Sequence, residues 1–295
     1  MKTPSLILGL LGLALIAICV YIFATPHTLL TMKRPSEKVA PARTPTLSQE
    51  YVEVPVVTYT EMSDSVPSLR YAYNINYPTV ALLGHPDMAK ATNAVIKTFV
   101  LDLLNAFKKN VEPDGAEPNA DDMSSDFTMR AGVQLLSPTI VSFRFDSAEY
   151  VSGSAHPSHQ THILNYDIEN GVVMRTEDLF ASSSVALPLV AKHIQEMAKA
   201  NISDTTEKEE FDTMFLAGTL PTLENFRSIA LSKEGLRVYF DEYQVAPYSR
   251  GGQEFLIPID KIQNLLSKRT SEAIRQSKAN IEEMMPENTG KMMEQ

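Results

Sequence analysis

The stretch HPSHQTH holds the residues of this chain that are most able to do chemistry. Its three imidazoles belong to His156, His159 and His162. Together with the nearby Asp167, such groups would suit a zinc- or copper-dependent hydrolase or deacetylase. The spacing argues against this, because His159 and His162 face opposite sides of a strand and Pro157 disfavours a helix. We therefore predict no metal site, no cofactor and no catalytic residue here.

His156 is predicted to have a structural role within the segment SGSAHP. Gly153 and Pro157 impose unusual backbone geometry on either side of it. We expect its ring to bind backbone groups of a neighbouring loop, so that its removal lowers stability. Ser152 and Ser154 precede it without the G-x-S-x-G turn of serine hydrolases, which does not favour nucleophilic catalysis.

A second candidate site lies in residues 235–260, GLRVYFDEYQVAPYSRGGQEFLIPID. This stretch predicts two strands joined by an aromatic connection that contains Tyr243, Tyr248 and Arg250. In one interpretation the tyrosines fill a corner of the fold with their hydroxyls bonded. In the other, exposed tyrosines and Arg250 form a surface for a partner or a glycan. Tyr243, Tyr248 and Arg250, with His156, are our candidate binding residues.

The elements that position these residues follow from the periodicity of apolar side chains. Alternation predicts strands at residues 51–59, 68–77, 127–136, 139–150, 160–168, 172–174, 226–231, 236–239 and 254–257. The helical period predicts helices at residues 86–109, 185–200, 207–216 and 260–268. Because strands outnumber helices and the helices interrupt runs of strands, we predict an α+β fold. We expect antiparallel-rich sheets, a few packed helices and two intimately associated subdomains.

The amino-terminal residues 1–25 predict a membrane anchor or a signal. The run from Leu6 to Ala24 is uncharged, and at about 1.5 Å of helix per residue it is nearly long enough to cross a bilayer. A retained anchor, a cleaved signal and a lipidated Cys19 remain open alternatives. Few residues precede the run, so we expect the rest of the chain to be extracytoplasmic, in the periplasm or at the cell surface.

The rest of the chain divides by composition. Residues 26–50 are rich in proline and predict a flexible linker. We expect an amino-terminal module over residues 51–150, a carboxy-terminal module over residues 151–268 and a loose tail over residues 269–295. Cys19 is the only cysteine, which excludes a disulfide framework.

The charge balance limits the class of partner. With 36 acidic and 26 basic residues, the net charge is −10. Such a surface argues against nucleic acid and favours a basic protein, if the partner is a protein.

Several motifs in order resemble the extracytoplasmic domain of the RsiV-like family of lysozyme-sensing anti-sigma factors. They are SGSAHP at 152–157, NYD at 165–167, EDLF at 177–180, and YQVAPY with the following glycine at 243–251. Residues 51–150 resemble the module that precedes the catalytic domain in PdaC-type peptidoglycan deacetylases. The resemblance implies fold and compartment but not activity, because the sigma-binding segment and the deacetylase domain of these families have no counterpart here.

The function that we expect is that of a non-enzymatic, membrane-anchored binding protein of the cell envelope. Peptidoglycan and a basic lysozyme-like protein are the candidate ligands, and Tyr243, Tyr248 and Arg250 are the candidate contacts. The alternative is a metal-dependent envelope hydrolase or deacetylase that uses the histidine cluster.

Overall fold

The computed structural model describes residues 54–111 and 124–284, with side chains as far as Ser277. These residues lie in one compact unit, Tyr51–Gln295. The predicted anchor at Leu6 to Ala24 and the predicted linker lie outside the described residues. Within the two described ranges, no helix is long and apolar enough to cross a membrane.

The first sheet contains the strands of the amino-terminal half. They are β1 (Val56–Val66), β2 (Tyr71–Ala81), β3 (Ser125–Leu136), β4 (Ile140–Tyr150), β5 (Ser158–Asp167) and β6 (Val172–Met174), paired in that order. Neighbouring strands are antiparallel except β2 and β3, which are parallel because helix α1 (Pro86–Val111) lies between them in the chain. A parallel pair needs such a crossover.

Helix α1 covers one face of this sheet. Ile96, Val100 and Leu104 recur at the helical period and are buried. They pack in a cluster that includes strand residues of the first sheet, and the rings of Phe99 and Phe145 lie 5.1 Å apart between their centroids. The alternating aromatic and apolar residues of β3 and β4 therefore bury one face of the sheet against one helix.

The second sheet is antiparallel and lies in the carboxy-terminal half. Its strands are β7 (Ile229–Leu231), β8 (Gly235–Phe240) and β9 (Gln253–Pro258). The helices of this half are α2 (Ser183–Lys199), α3 (Thr205–Glu210), a π-helical turn (Phe211–Phe215), α4 (Leu216–Gly218), α5 (Ile259–Ile262) and α6 (Lys268–Met284). Short 3-10 helices occur at Thr176–Leu179 and Tyr248–Arg250. The buried face of α2, which includes Val190 and Ile194, packs with the second sheet in a separate hydrophobic cluster.

Asn165 joins the two sheets through a buried amide. Its side-chain amino group donates to the carbonyl of Ile229 (2.8 Å), and its carbonyl oxygen accepts from the N–H of Leu231 (3.3 Å). The same oxygen accepts from the hydroxyl of Ser142 at 2.7 Å. The side chain of Asn165 thus satisfies two backbone groups of β7 as a neighbouring strand would.

The predicted α+β class and the antiparallel-rich sheets are confirmed. Most predicted strands lie within a few residues of the observed ones, although β1 begins at Val56, five residues later than predicted. The proposed division at residue 150 falls at the end of β4, and β5 beyond it continues the same sheet. That division into modules stays a prediction.

The predicted helix over residues 260–268 is wrong. The structure has only the short α5 there, because the backbone of Leu265 and Ser267 is bonded to Ala181 and Leu179 instead. Ser267 then begins α6, its hydroxyl accepting from the N–H of Thr270 (3.2 Å).

Helix α6 lies within the stretch that the sequence predicts as a loose tail, and it is helical as far as Met284. Thr270, Ala273, Ile274 and Ser277 are buried on one face of it. These residues are mostly small, so the sequence shows a weak apolar signal although the positions have helical spacing.

Replacing Asn165 with alanine should lower the free energy of unfolding by about 2–4 kcal/mol, because two buried backbone groups of β7 lose their partners. Urea denaturation of the purified protein measures this. Ser142→Ala is the matched control, since it removes one hydrogen bond to Asn165 and leaves β7 satisfied; we expect a loss of about 1 kcal/mol. Equal stabilities for Asn165→Ala and the wild type would contradict the assigned role.

Candidate functional site

Three of the four candidate binding residues, Tyr243, Tyr248 and Arg250, lie on the connection between β8 and β9, residues 241–252, which we call the β8–β9 connection. Its first two residues bind the edge of β5. Asp241 accepts from the N–H of Thr161 (2.8 Å), and Glu242 accepts from the N–H of His159 (3.1 Å) and from its ring Nδ1 (2.8 Å). The start of the connection is therefore held by two carboxylates with charge-assisted hydrogen bonds.

The connection is also held from its other side by the helical segment α3–α4. Gly218, at the end of α4, lies against the backbone of the connection: a Cβ at this position would be 2.0 Å from the carbonyl oxygen of Gln244. Arg250 forms ion pairs with Glu207 (3.2 Å) and Glu210 (2.6 Å). The guanidinium predicted to contact a ligand is thus engaged within the protein, and its role as a contact stays a prediction.

Three rings form a stack that we call the aromatic platform: His156 and Tyr243, which are exposed, and Tyr248, which is partly buried. The ring centroids of His156 and Tyr248 are 3.9 Å apart with planes inclined by 29°, and those of Tyr243 and Tyr248 are 5.6 Å apart at 28°. The structure therefore brings together three of the four residues selected from the sequence. Rings stacked in this way cover part of each other's faces and leave apolar ring surface with polar edges at the outside of the stack.

Hydrogen bonds fix the rings of the platform. Nδ1 of His156 lies 2.9 Å from the carbonyl oxygen of Pro157, and Nε2 lies 3.3 Å from the hydroxyl of Tyr243. Because a carbonyl only accepts, Nδ1 is the donor, and in the neutral ring Nε2 accepts from the tyrosine. The sequence predicted a bond from His156 to the backbone of a neighbouring loop. The backbone bond is instead to the adjacent residue, and the neighbouring loop is reached through Tyr243 and Tyr248.

Tyr243 has a backbone conformation that is unusual for its residue type. Its φ is +64°, in the left-handed region, and the residue is 57% exposed. A bulky residue in this region carries strain of order 1 kcal/mol, which surrounding contacts must offset. The surrounding structure therefore stabilises an unfavourable backbone conformation at an exposed aromatic residue. Strained residues of this kind are common at binding sites.

A polar cleft of about 460 Å³ lies between strands β3 to β5 and the facing ends of β8 and β9. His159 lines the cleft and binds Glu242, which directly precedes Tyr243. Arg144 lines the cleft and forms ion pairs with Asp146 (2.7 Å) and Glu254 (3.3 Å). The cleft and the platform are thus linked through the hydrogen bond between His159 and Glu242.

The sequence did not identify this cleft. Arg144 and Asp146 alternate on the solvated face of β4, as charged residues do on many half-exposed strands. The contact of Arg144 with Glu254 joins residues 110 positions apart in the chain. No local pattern predicts that contact, because it depends on how the second sheet packs on the first.

The three histidines of HPSHQTH have separate partners. The ring of His156 stacks on Tyr248, that of His159 binds Glu242, and Nε2 of His162 lies 3.1 Å from the hydroxyl of Ser147. Over residues 54–111 and 124–284, no group of three or more histidine, cysteine or acidic side chains is placed to hold a metal ion.

Asp167, the fourth residue of the alternative metal site, is buried and paired. Arg269 donates to both of its carboxylate oxygens at 2.7 Å, and Asn170 donates from its backbone and its side chain. Burial acts to raise the pKa of Asp167, but these hydrogen bonds outweigh it and leave the pKa below its ordinary value. The carboxylate therefore anchors α6 to the end of β5.

The comparisons with known proteins concern the same region. Residues 177–260 match a known family. Its description is "Protein of unknown function (DUF3298)". The matched range contains Tyr243, Tyr248 and Arg250 but not His156, so the aromatic platform combines residues inside and outside the range.

The chain is also similar to the peptidoglycan-N-acetylmuramic acid deacetylase PdaC of Bacillus subtilis (strain 168). The identity is 23% over 223 residues, which cover 74% of this chain and 44% of PdaC. The chain therefore spans less than half the length of that relative.

Two solved structures share the fold. A DUF3298 family member from Bacteroides fragilis NCTC 9343 has a TM-score of 0.52 at 19% identity and covers 76% of this chain and 97% of its own. A DUF3298 family protein from Pseudomonas aeruginosa PAO1 has a TM-score of 0.51 at 17% identity, with coverages of 73% and 95%. At these identities the likeness concerns the fold alone.

Replacing His156 with alanine should lower the free energy of unfolding by about 0.5–1.5 kcal/mol, the worth of one aromatic contact. The loss should be modest, because the ring is exposed and water can reach the carbonyl of Pro157. Thermal melts of the wild type and the variant measure this loss of stability. His85→Ala is the control, because His85 is exposed and has no side-chain partner among the described residues. Equal melting temperatures for all three proteins would rule out the structural role.

Stability should fall on mild acidification because of His162. Burial lowers the pKa of His162 from its ordinary value of 6.5, with Arg227 acting in the same direction. As the pH decreases below about 6.5, the unfolded chain takes up a proton before the folded one does, so stability is lost by at most about 1.4 kcal/mol per pH unit. Urea denaturation between pH 8 and 5.5 should show this slope, His162→Gln should reduce it, and His85→Gln should not. A slope unchanged in His162→Gln would contradict the assignment.

Proposed function

We propose that this chain is a binding protein of the cell envelope and that its aromatic platform contacts peptidoglycan. The observation that carries the proposal is the stack of the exposed His156 and Tyr243 on the partly buried Tyr248, in which Tyr243 is held at a positive φ. The C–H groups on the flat face of a pyranose ring are weakly positive and favour the negative face of an aromatic ring.

The cleft supplies the polar contacts that a glycan also needs. Thr128, Gln160 and Gln253 line it together with charged residues. Binding sites commonly combine such an apolar surface with a few polar groups that fix orientation. The platform would hold the sugar plane while the cleft orients its substituents.

The likeness to PdaC, whose name refers to peptidoglycan, supports the choice of ligand and of compartment. We place the domain outside the cytoplasm, held to the membrane by Leu6 to Ala24. An RsiV-like relationship would favour a basic lysozyme-like protein instead, and the net charge of −10 is compatible with that ligand. We favour peptidoglycan because the platform presents ring faces rather than carboxylates.

We propose binding rather than catalysis. A metal-dependent hydrolase or deacetylase on His156, His159 and His162 would need these rings to converge. Each ring instead has its own partner, and Asp167 is bonded to Arg269. Support for the enzymatic alternative is correspondingly weak.

The purified full-length protein should co-sediment with insoluble peptidoglycan, and Tyr243→Ala and Tyr248→Ala should each weaken binding by roughly 10-fold or more, as for a central aromatic contact. Tyr59→Ala is the matched control, since Tyr59 lies on β1 and is 48% exposed. Thermal melts verify that each variant is folded.

Failure of the wild type to bind, or equal binding by all variants, would refute the proposal. Salt-sensitive binding to immobilised lysozyme, without binding to peptidoglycan, would show that the ligand is a basic lysozyme-like protein instead.

A further inference from the structure

Two arginines and three acidic residues line the cleft, and most of these charges are paired within the protein. Its carboxylates are all paired: Asp146 with Arg144 (2.7 Å), Asp241 with Arg227 (2.7 Å), and Glu254 with Arg144 (3.3 Å). Further bonds satisfy them, since Thr161 donates its hydroxyl to Asp146 and its N–H to Asp241, and Arg237 pairs with Glu254. Each of these acids thus has at least one arginine partner within the protein.

Arg130 is the remaining guanidinium of the cleft. It lies on β3, opposite Asp146 in the strand register, and lines the cleft as an exposed side chain. The carboxylate of Asp146 pairs with Arg144 on its own strand rather than with Arg130. In the part of the chain that the structure describes, Arg130 has no ion pair and no side-chain hydrogen bond. The cleft therefore offers a free positive charge in a chain whose net charge is negative.

We propose that Arg130 binds a carboxylate of the ligand, so that the ligand is a carboxylate-bearing wall polymer rather than a neutral glycan. A guanidinium suits this role because its planar N–H groups can donate two parallel hydrogen bonds to one carboxylate. In peptidoglycan such carboxylates are carried by the peptide stems, and this inference therefore rests on the proposed function.

The geometry allows one ligand to use both surfaces. His159 lines the cleft, and through Glu242 it is bonded to the residue that precedes Tyr243. In this proposal a sugar lies on the platform and its peptide substituent enters the cleft of about 460 Å³. Cavities of roughly 300–1,000 Å³ hold small ligands or short peptide groups.

The test compares one polymer with and without its charges. Purified peptidoglycan, free of other wall polymers, is used native and after carbodiimide coupling to methylamine, which converts its carboxylates to neutral amides. Full-length wild-type protein is titrated against both forms together with Arg130→Ala, Arg130→Lys and Arg175→Ala. Arg175 is the matched control, because it is an exposed arginine outside the cleft.

We expect the wild type and Arg175→Ala to bind native peptidoglycan roughly 10- to 100-fold more tightly than the amidated form, as for one charge-assisted bidentate contact. Arg130→Ala should bind both forms equally, at the level of the wild type on the amidated form. Arg130→Lys should keep part of the preference, because it keeps the charge without the planar fork.

The failure of this inference is distinguishable from that of the proposed function. If Arg130→Ala keeps the full preference for native peptidoglycan, or if the wild type has none, Arg130 does not bind a carboxylate although peptidoglycan binding stands. If the wild type binds neither form, the proposed function is wrong and this inference with it.

Discussion

The short length of β6 is the constraint on which the candidate site depends. β6 spans only Val172–Met174 and pairs with β5 from Asn165 to Asp167, so the first part of β5 has no neighbouring strand on that edge. Exposed backbone groups on a sheet edge need partners. Side chains from the carboxy-terminal half supply them: Asp241, Glu242 and Ser228 bind backbone groups of His159 and Thr161.

This edge binding determines where the β8–β9 connection begins. Two successive acidic residues are bonded to two alternate backbone N–H groups of β5, which fixes both the position and the direction of the chain that follows. Tyr243 comes next and adopts the left-handed conformation. The carboxylate bonds that precede Tyr243 contribute stabilisation that helps to offset this strain.

Much of the fold could be predicted from the sequence, because periodicity reports burial directly. Alternation identified the strands, and the helical period identified α1 and α2. The error at α6 arose where Thr270, Ala273 and Ser277 are buried, since small residues give little apolar signal. At the site, the sequence could select Tyr243 and His156 by type, but the two are separated by 87 positions and nothing local predicts their contact. The cleft was missed for the same reason.

The close contact at Gly218 has a consequence for how a ligand is received. The connection lies between the edge of β5 and the segment α3–α4, with Gln244 against Gly218 and Arg250 bonded to Glu207 and Glu210. A loop held on both sides has already lost most of its conformational freedom during folding. Preorganisation of this kind lets contact energy appear as affinity instead of being offset by ordering. The rings of the platform are therefore ordered before any ligand binds.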